Sequence, residues 1–418
     1  MLFMLFSLFI RKKFKNSFTR INNSSYDYQR KINENYIAHP IIKHQYELGD
    51  APLSISNKEN YNKSGKWKLL VGPSIKGSWN SNNFIKTKAL LTDENTLYVG
   101  LLADGDDATV WKFSHDKWDK IGGEGVRKSW NKANYVTVLE KYQNSIYAGV
   151  DNQIWQYRNG EWENITPSDI LPKGVTVYSM EPHQGKLYVG LTGGKPSILI
   201  YNGKTWSLEK LNTKLTGATG IYELLSHTDG NLYAGTIMRL GFSAFVLKKE
   251  QGRWSVAGGN GVNNSWINTG NAAALSLTSY KEYLIVTFNR RPMAEGAFSP
   301  IWAFNGKSWN PVGARNIPPS WSKFENFNAS INFNEKLIIS AGGQPAGLSS
   351  LWEWRGDKWL QIAGNGINKS WGKNNQPLSN GLSNSEYIYR MVKSGNNALY
   401  LGFGDGLGMA QIWRYTTP

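Results

Sequence analysis

"IGGEGVRKSW" occupies residues 121–130, and the phrase returns as "AGGNGVNNSW" at 257–266 and "IAGNGINKSW" at 362–371. One glycine-rich turn ending in Ser-Trp would say little. Three near-copies announce a repeat, and a repeat with a period of tens of residues overrides any local reading of secondary structure. The glycines supply backbone angles that other residues resist, so the phrase reads as a sharp crossing between two structural units.

Working outward, a tryptophan after a short turn precedes the phrase and recurs at Trp67, Trp118, Trp162, Trp206, Trp254, Trp309 and Trp359, at intervals of 44 to 55 residues. Each interval holds the same pieces in the same order: an apolar segment such as "YVTVLE", a strand-like "LYVGLL" or "LYAGT", a loop, a segment such as "IWQY" or "LWEW", and the Trp-led segment. Four short strands per unit at this period is the spacing of a β-propeller blade. The last unit stops at Pro418 without a Trp-led strand, and "KWKLLVG" at 66–72 is a Trp-led strand without a unit. Bringing Trp67 round to the final unit closes the ring and buries edges whose backbone groups would otherwise lack partners. The predicted fold is all-β, a seven-bladed β-propeller of four-stranded blades with the last blade closed by the N-terminal strand. Gly100, Gly149, Gly190, Gly235 and Gly402 share one strand position, where a missing side chain lets the next sheet approach; Thr287 and Ser340 hold that position in the other two units.

Composition agrees. The chain has 418 residues with 18 Trp, 21 Tyr and 43 Gly, a mixture suited to short strands and tight turns. It has no cysteine, which excludes disulfides, thiolate metal sites and a cysteine nucleophile. Lys and Arg number 47 against 31 Asp and Glu, a net +16. The charge is spread along the chain, and no nucleic-acid motif accompanies it, which argues against a nucleic-acid partner. Residues 1–10, "MLFMLFSLFI", are too short to span a bilayer as a helix, which takes about 20 residues. They read as a defective export signal or a surface anchor, because the basic cluster "RKKFK" follows the run instead of preceding it. That favours an extracytoplasmic or membrane-associated location, with any membrane contact confined to residues 1–15. Residues 11–65 read as a basic, polar, mostly disordered linker, and 66–418 as the propeller.

With its repeated "LYVG", "IWxY" and "GGxGVxxSW" elements, the chain resembles the seven-bladed β-propeller repeat proteins over residues 66–418. It lacks the "GH...WD" pairing of the WD40 type, and its double glycines lie in crossings instead of ending a strand as in the kelch type. Its "W-x-x-I-G-G" is loosely similar to tectonin-like and bacterial propeller lectins, a resemblance that implies sugar binding by analogy alone.

The crossings and the loops between second and third strands of each unit share one face, where ligands are expected. Trp79, Trp130, Trp266, Trp321 and Trp371 follow the blade tryptophans by twelve residues. They read either as platforms for sugar rings or as wedges between blades. Asp104, Asp106 and Asp107 in "DGDD" read as a cation loop or a solvated acidic turn. Arg239, Arg290 and Arg291 offer paired donors to a carboxylate or phosphate, or are surface residues of long inserts. No motif for a metal or cofactor is found, and none is expected. The scattered His115, His183 and His227 lack zinc spacing. Glu140, Glu181 and Glu223 sit near innermost strands and are the candidates for acid-base chemistry, although nothing marks a catalytic set. The leading reading is a non-enzymatic, monomeric binding module for carbohydrate or another extended ligand. A protein-interaction scaffold and a glycan-active hydrolase or lyase are the alternatives.

Overall fold

Short runs of β-branched and aromatic residues, broken every few residues by turns, pair with their sequence neighbours as antiparallel hairpins. The tightest turns have two residues: Phe333 pairs with Lys336 across Asn334 and Glu335, both left-handed at φ 52° and 61°. That geometry matches the twist of the flanking strands. The computed structural model describes residues 65–72, 79, 84–103, 105, 108–211, 215–239, 242–267, 273–289, 301–313, 327–342, 349–364, 366–371, 387–404 and 410–417. The apolar run 1–10, nearly all of the 11–65 linker, Asp104, Asp106, Asp107, Arg290, Arg291 and Trp321 lie outside the described residues. Everything described belongs to one compact unit, Leu53–Pro418.

The described strands group into seven four-stranded antiparallel units. The innermost strands are Phe84–Asp93, Val136–Tyr142, Thr176–His183, Ala218–Ser226, Ala274–Tyr280, Ser330–Phe333 and Tyr387–Ser394. Each touches the next in order, and Tyr387–Ser394 touches Phe84–Asp93, so they form a closed ring around an axis. The chain is a β-propeller.

Closure follows the expected route. Lys66–Val71 pairs antiparallel with Gln411–Thr416, placing Trp67 opposite Tyr415 and Leu69 opposite Trp413. The first and last units therefore share one continuous sheet path, helped by the Thr87 hydroxyl, which donates to the Phe403 carbonyl at 3.0 Å.

The small-residue position also behaves as read. A Cβ on Gly100 would sit 2.4 Å from Cγ1 of Val136, and one on Gly235 would sit 2.8 Å from Cβ of Ala274, in each case on the next unit's innermost strand. Where the chain carries a hydroxyl instead, it is used: Thr287 donates to the Phe327 carbonyl at 2.6 Å and Ser340 to the Ile388 carbonyl at 3.2 Å. Faces buried on both sides explain why the second strands are almost wholly apolar and buried, as in Thr96–Ala103.

Candidate functional site

The crossing phrase builds a latch. In residues 121–130 the Ser129 hydroxyl accepts from the Gly123 N–H at 2.8 Å, and the Gly125 N–H donates to the Trp130 carbonyl at 2.9 Å. Gly123 and Gly125 are left-handed at φ 95° and 73°. The turn at 257–266 repeats both bonds, Gly259 to Ser265 at 2.7 Å and Gly261 to Trp266 at 3.2 Å. The turn at 362–371 does so through Ser370 and Trp371.

This latch aims the tryptophan inward. Trp79, Trp130, Trp266 and Trp371 are 1%, 3%, 1% and 5% exposed. Each indole N–H donates back to its own unit, to the carbonyls of Ala410, Ala108, Ala244 and Ser349 at 2.7 to 3.0 Å. Each ring meets the next unit's blade tryptophan edge-on, as Trp266 does Trp309 at 5.2 Å. Of the two readings of these rings, sugar platform or wedge between blades, the burial of these four and the use of each N–H support the wedge, a rivet between adjacent sheets. The crossings after Trp162 and Trp206 lack the phrase and fill the seam with Ile170, Leu171, Leu211 and Leu215 instead.

Charged and tyrosine side chains gather along the axis. Six innermost strands carry a bulge at one equivalent place, at Lys88, Thr137, Tyr178, Tyr222, Leu275 and Tyr389. A bulge sets two residues against one and re-aims the extra side chain. All six line one narrow axial cavity with about 20 Å³ of water-accessible space, room for about one water. The Lys88 ammonium lies over the Tyr178 ring and 4.8 Å from the Tyr222 centroid. Burial, then the Lys86 charge, holds the Lys88 ammonium well below the usual lysine range. Lys86 stands 4.4 Å over Tyr389. Next to the bulges, Arg390 donates to Glu223 at 2.7 Å, and that carboxylate pushes the guanidinium up.

Glu140 and Glu181 lie three residues beyond their bulges, toward the hairpin-turn side. Burial raises Glu140 to about 7, opposed by the Lys141 N–H that it accepts at 3.0 Å. Burial and then the Glu140 charge raise Glu181 to about 8, and it accepts the Ser226 N–H at 3.0 Å. The three glutamates singled out in the sequence thus share one electrostatic neighbourhood around Arg390. Lys86, Lys88, Arg390 and the tyrosines were missed. Aligning the innermost strands on the residue that faces Gly100, Gly190, Gly235 or Gly402 would have found Lys88, Arg390 and the tyrosines, since the bulge residue stands just before that position and Arg390 occupies it.

His183 and His227 bond Ser226 and Ser279 on the next innermost strands through Nδ1, at 2.8 and 2.7 Å, and burial lowers both imidazoles. Among the described residues no group of three or more His, Asp or Glu side chains is placed to share a metal ion. On the crossing-loop face, Arg239 is exposed and shares a turn with Phe242, whose N–H donates to the Arg239 carbonyl at 3.3 Å.

No protein-family model and no curated protein sequence matches the chain. Solved structures do. The extracellular domain of a hybrid two-component system from B. thetaiotaomicron is 15% identical with a TM-score of 0.54, covering 83% of this chain and 39% of that one, so the likeness spans well under half of that protein's chain. YCF48 bound to D1 peptide is 14% identical with a TM-score of 0.51 and covers 86% and 99%. The Neurospora crassa Pan2 WD40 domain is 9% identical with a TM-score of 0.51 and covers 84% and 96%. At these identities the likeness is one of architecture, and it agrees with the strand pairing that this chain has the β-propeller fold.

Proposed function

We propose that the chain is a seven-bladed, non-enzymatic binding propeller whose crossing-loop face docks a protein ligand. One observation carries the reading: of the five large apolar side chains exposed among the described residues, Tyr135, Phe242, Val262 and Ile267 belong to that face, at 42%, 39%, 37% and 63%. Phe242 and Arg239 lie in a loop of the fourth unit and Val262 and Ile267 in the crossing that leaves it, so this face presents an exposed aromatic, two exposed aliphatics and an arginine, and aromatic residues and arginine are enriched at protein interfaces. Lys86, at the same end of the axis, adds positive charge that suits an acidic partner.

The test places a photo-crosslinking phenylalanine analogue at Phe242 and, as control, at Glu94 in a hairpin turn on the opposite face. A discrete protein adduct at 242 alone, lost in Ile267→Asp, supports docking. A carbohydrate ligand is the second reading, favoured by the half-exposed ring of Tyr135. Saturable binding on a glycan array, abolished by Tyr135→Ala, with no adduct at 242, would replace the first reading by the second.

A further inference from the structure

The narrow axial cavity takes one residue from each bulge, and Asn328 completes the circle just before the strand Ser330–Phe333. Three of these residues are tyrosines, and Thr137, Leu275 and Asn328 are uncharged, so Lys88 is the one basic member. Its nitrogen is closed off from solvent and meets no hydrogen-bond acceptor among the described residues. An ammonium has three N–H groups to give, and burying them unpaired is costly unless a negative partner completes the set. Beneath it the Tyr178 and Tyr222 rings offer only the negative faces of their π systems.

The surrounding groups do not supply that partner. Glu223 is the carboxylate whose charge reaches Lys88, but its bond is to Arg390, at 2.7 Å. Lys86, over Tyr389, has contacts of its own and enters only as a second positive charge nearby. Donors are in surplus instead. The Tyr178 hydroxyl donates to that of Tyr222, which leaves the Tyr222 proton to give, and both rings line the cavity with Lys88. A space for about one water, walled by hydrogen-bond donors and an amine without an acceptor, suits one small anion.

We propose that the axial waist binds a single monovalent anion the size of chloride, held by the Lys88 ammonium and the Tyr222 hydroxyl. The site does not depend on the protein-docking face. Burial and the Lys86 and Arg390 charges disfavour the ammonium, with Glu223 opposing them, so on the alkaline side of the amine's titration the anion must bring a proton with it. Glu140 and Glu181, which become charged through about 7 and about 8, act in the same sense by adding negative charge near the axis. Tyr178 and Tyr222 are raised and stay neutral over that range. Anion binding therefore weakens as pH rises, by about tenfold per unit where one proton is taken up.

The probe is sodium chloride against sodium gluconate, an anion too large for the waist, at constant ionic strength on the full chain. Chloride should raise the unfolding midpoint in a saturable way at pH 6, and by less at pH 9. Lys88→Met, which puts an apolar chain of similar length among the rings, should fold and lose the chloride effect. Tyr222→Phe should weaken binding about fivefold, whereas Ile267→Asp on the docking face should leave it unchanged. Bromide diffused into crystals of the wild-type chain should give its anomalous signal on the axis beside Lys88, a readout that needs no variant. Equal midpoints in chloride and gluconate at pH 6, a chloride effect kept by Lys88→Met, or bromide absent from the axis would overturn the proposal.

Discussion

Trp266 shows how much one residue carries. Its ring is 1% exposed, meets Phe288 at 4.6 Å, Trp302 at 5.6 Å and Trp309 at 5.2 Å, and its N–H is held by the Ala244 carbonyl. Trp266→Ala should leave an interior cavity and an unpaired carbonyl, costing on the order of 3 to 5 kcal/mol in chemical denaturation. Trp266→Phe keeps most of the packing and loses the hydrogen bond, so it should cost less. If Trp266→Ala unfolds like the wild type, the rivet reading fails and a ligand-facing ring has to be reconsidered. Lys88 is the opposite case. The tyrosines beneath it fall at bulges on strands some 90 and 134 residues further along the chain, so its chemistry was invisible until the ring closed.

At the scale of elements, the strand Lys66–Val71 stands apart because its partner lies some 350 residues away. Closing so long a loop is entropically costly, and the pairing is held by Trp67 against Trp371 and Tyr415 and by the fully buried Val71. A chain lacking 66–71 should lose on the order of 5 kcal/mol or more and expose the edge of Gln411–Thr416. A synthetic peptide of residues 61–72 added in trans should restore the midpoint in a concentration-dependent way. An unchanged melting temperature after removal would show that the strand does not seal the ring. The bulges are the second element-scale feature. Each bulge places one extra side chain on the axis, and with tyrosines and a lysine at those places the waist narrows to about one water.

For the molecule as a whole, the axial charges predict a pH dependence. Glu140 and Glu181 have carboxyls raised to about 7 and about 8 from an ordinary value near 4.5, so between those limits the folded chain holds protons that the unfolded chain has released. Stability from these two groups is complete below about pH 4.5, falls as pH rises through 7 and 8, and is level above. Lys88 has the opposite sense of shift: its lowered ammonium makes stability rise with pH toward the ordinary lysine value. Glu181→Gln keeps an acceptor for the Ser226 N–H and removes the titration, so it should match the wild type near pH 4.5 and unfold at higher temperature at pH 8.5. A parallel pH profile for the two chains would contradict the buried, coupled carboxylate.

The repeat alone determined the architecture. Period, strand count per unit, ring closure by Trp67 and the small residues at Gly100 and its equivalents are all consequences of local spacing, and each is written in the order of residues. The crossing tryptophans were legible as a set, yet whether they faced solvent or the neighbouring sheet depended on a latch of serine and glycine bonds that spacing does not reveal. The glutamates could be placed near innermost strands, but their gathering around Arg390 and the stacking of Lys88 on Tyr178 were decided only by the tertiary structure. Those contacts join residues from different repeats. Their geometry is set by how the sheets close around an axis and by which strand each bulge turns inward, and no local periodicity encodes that.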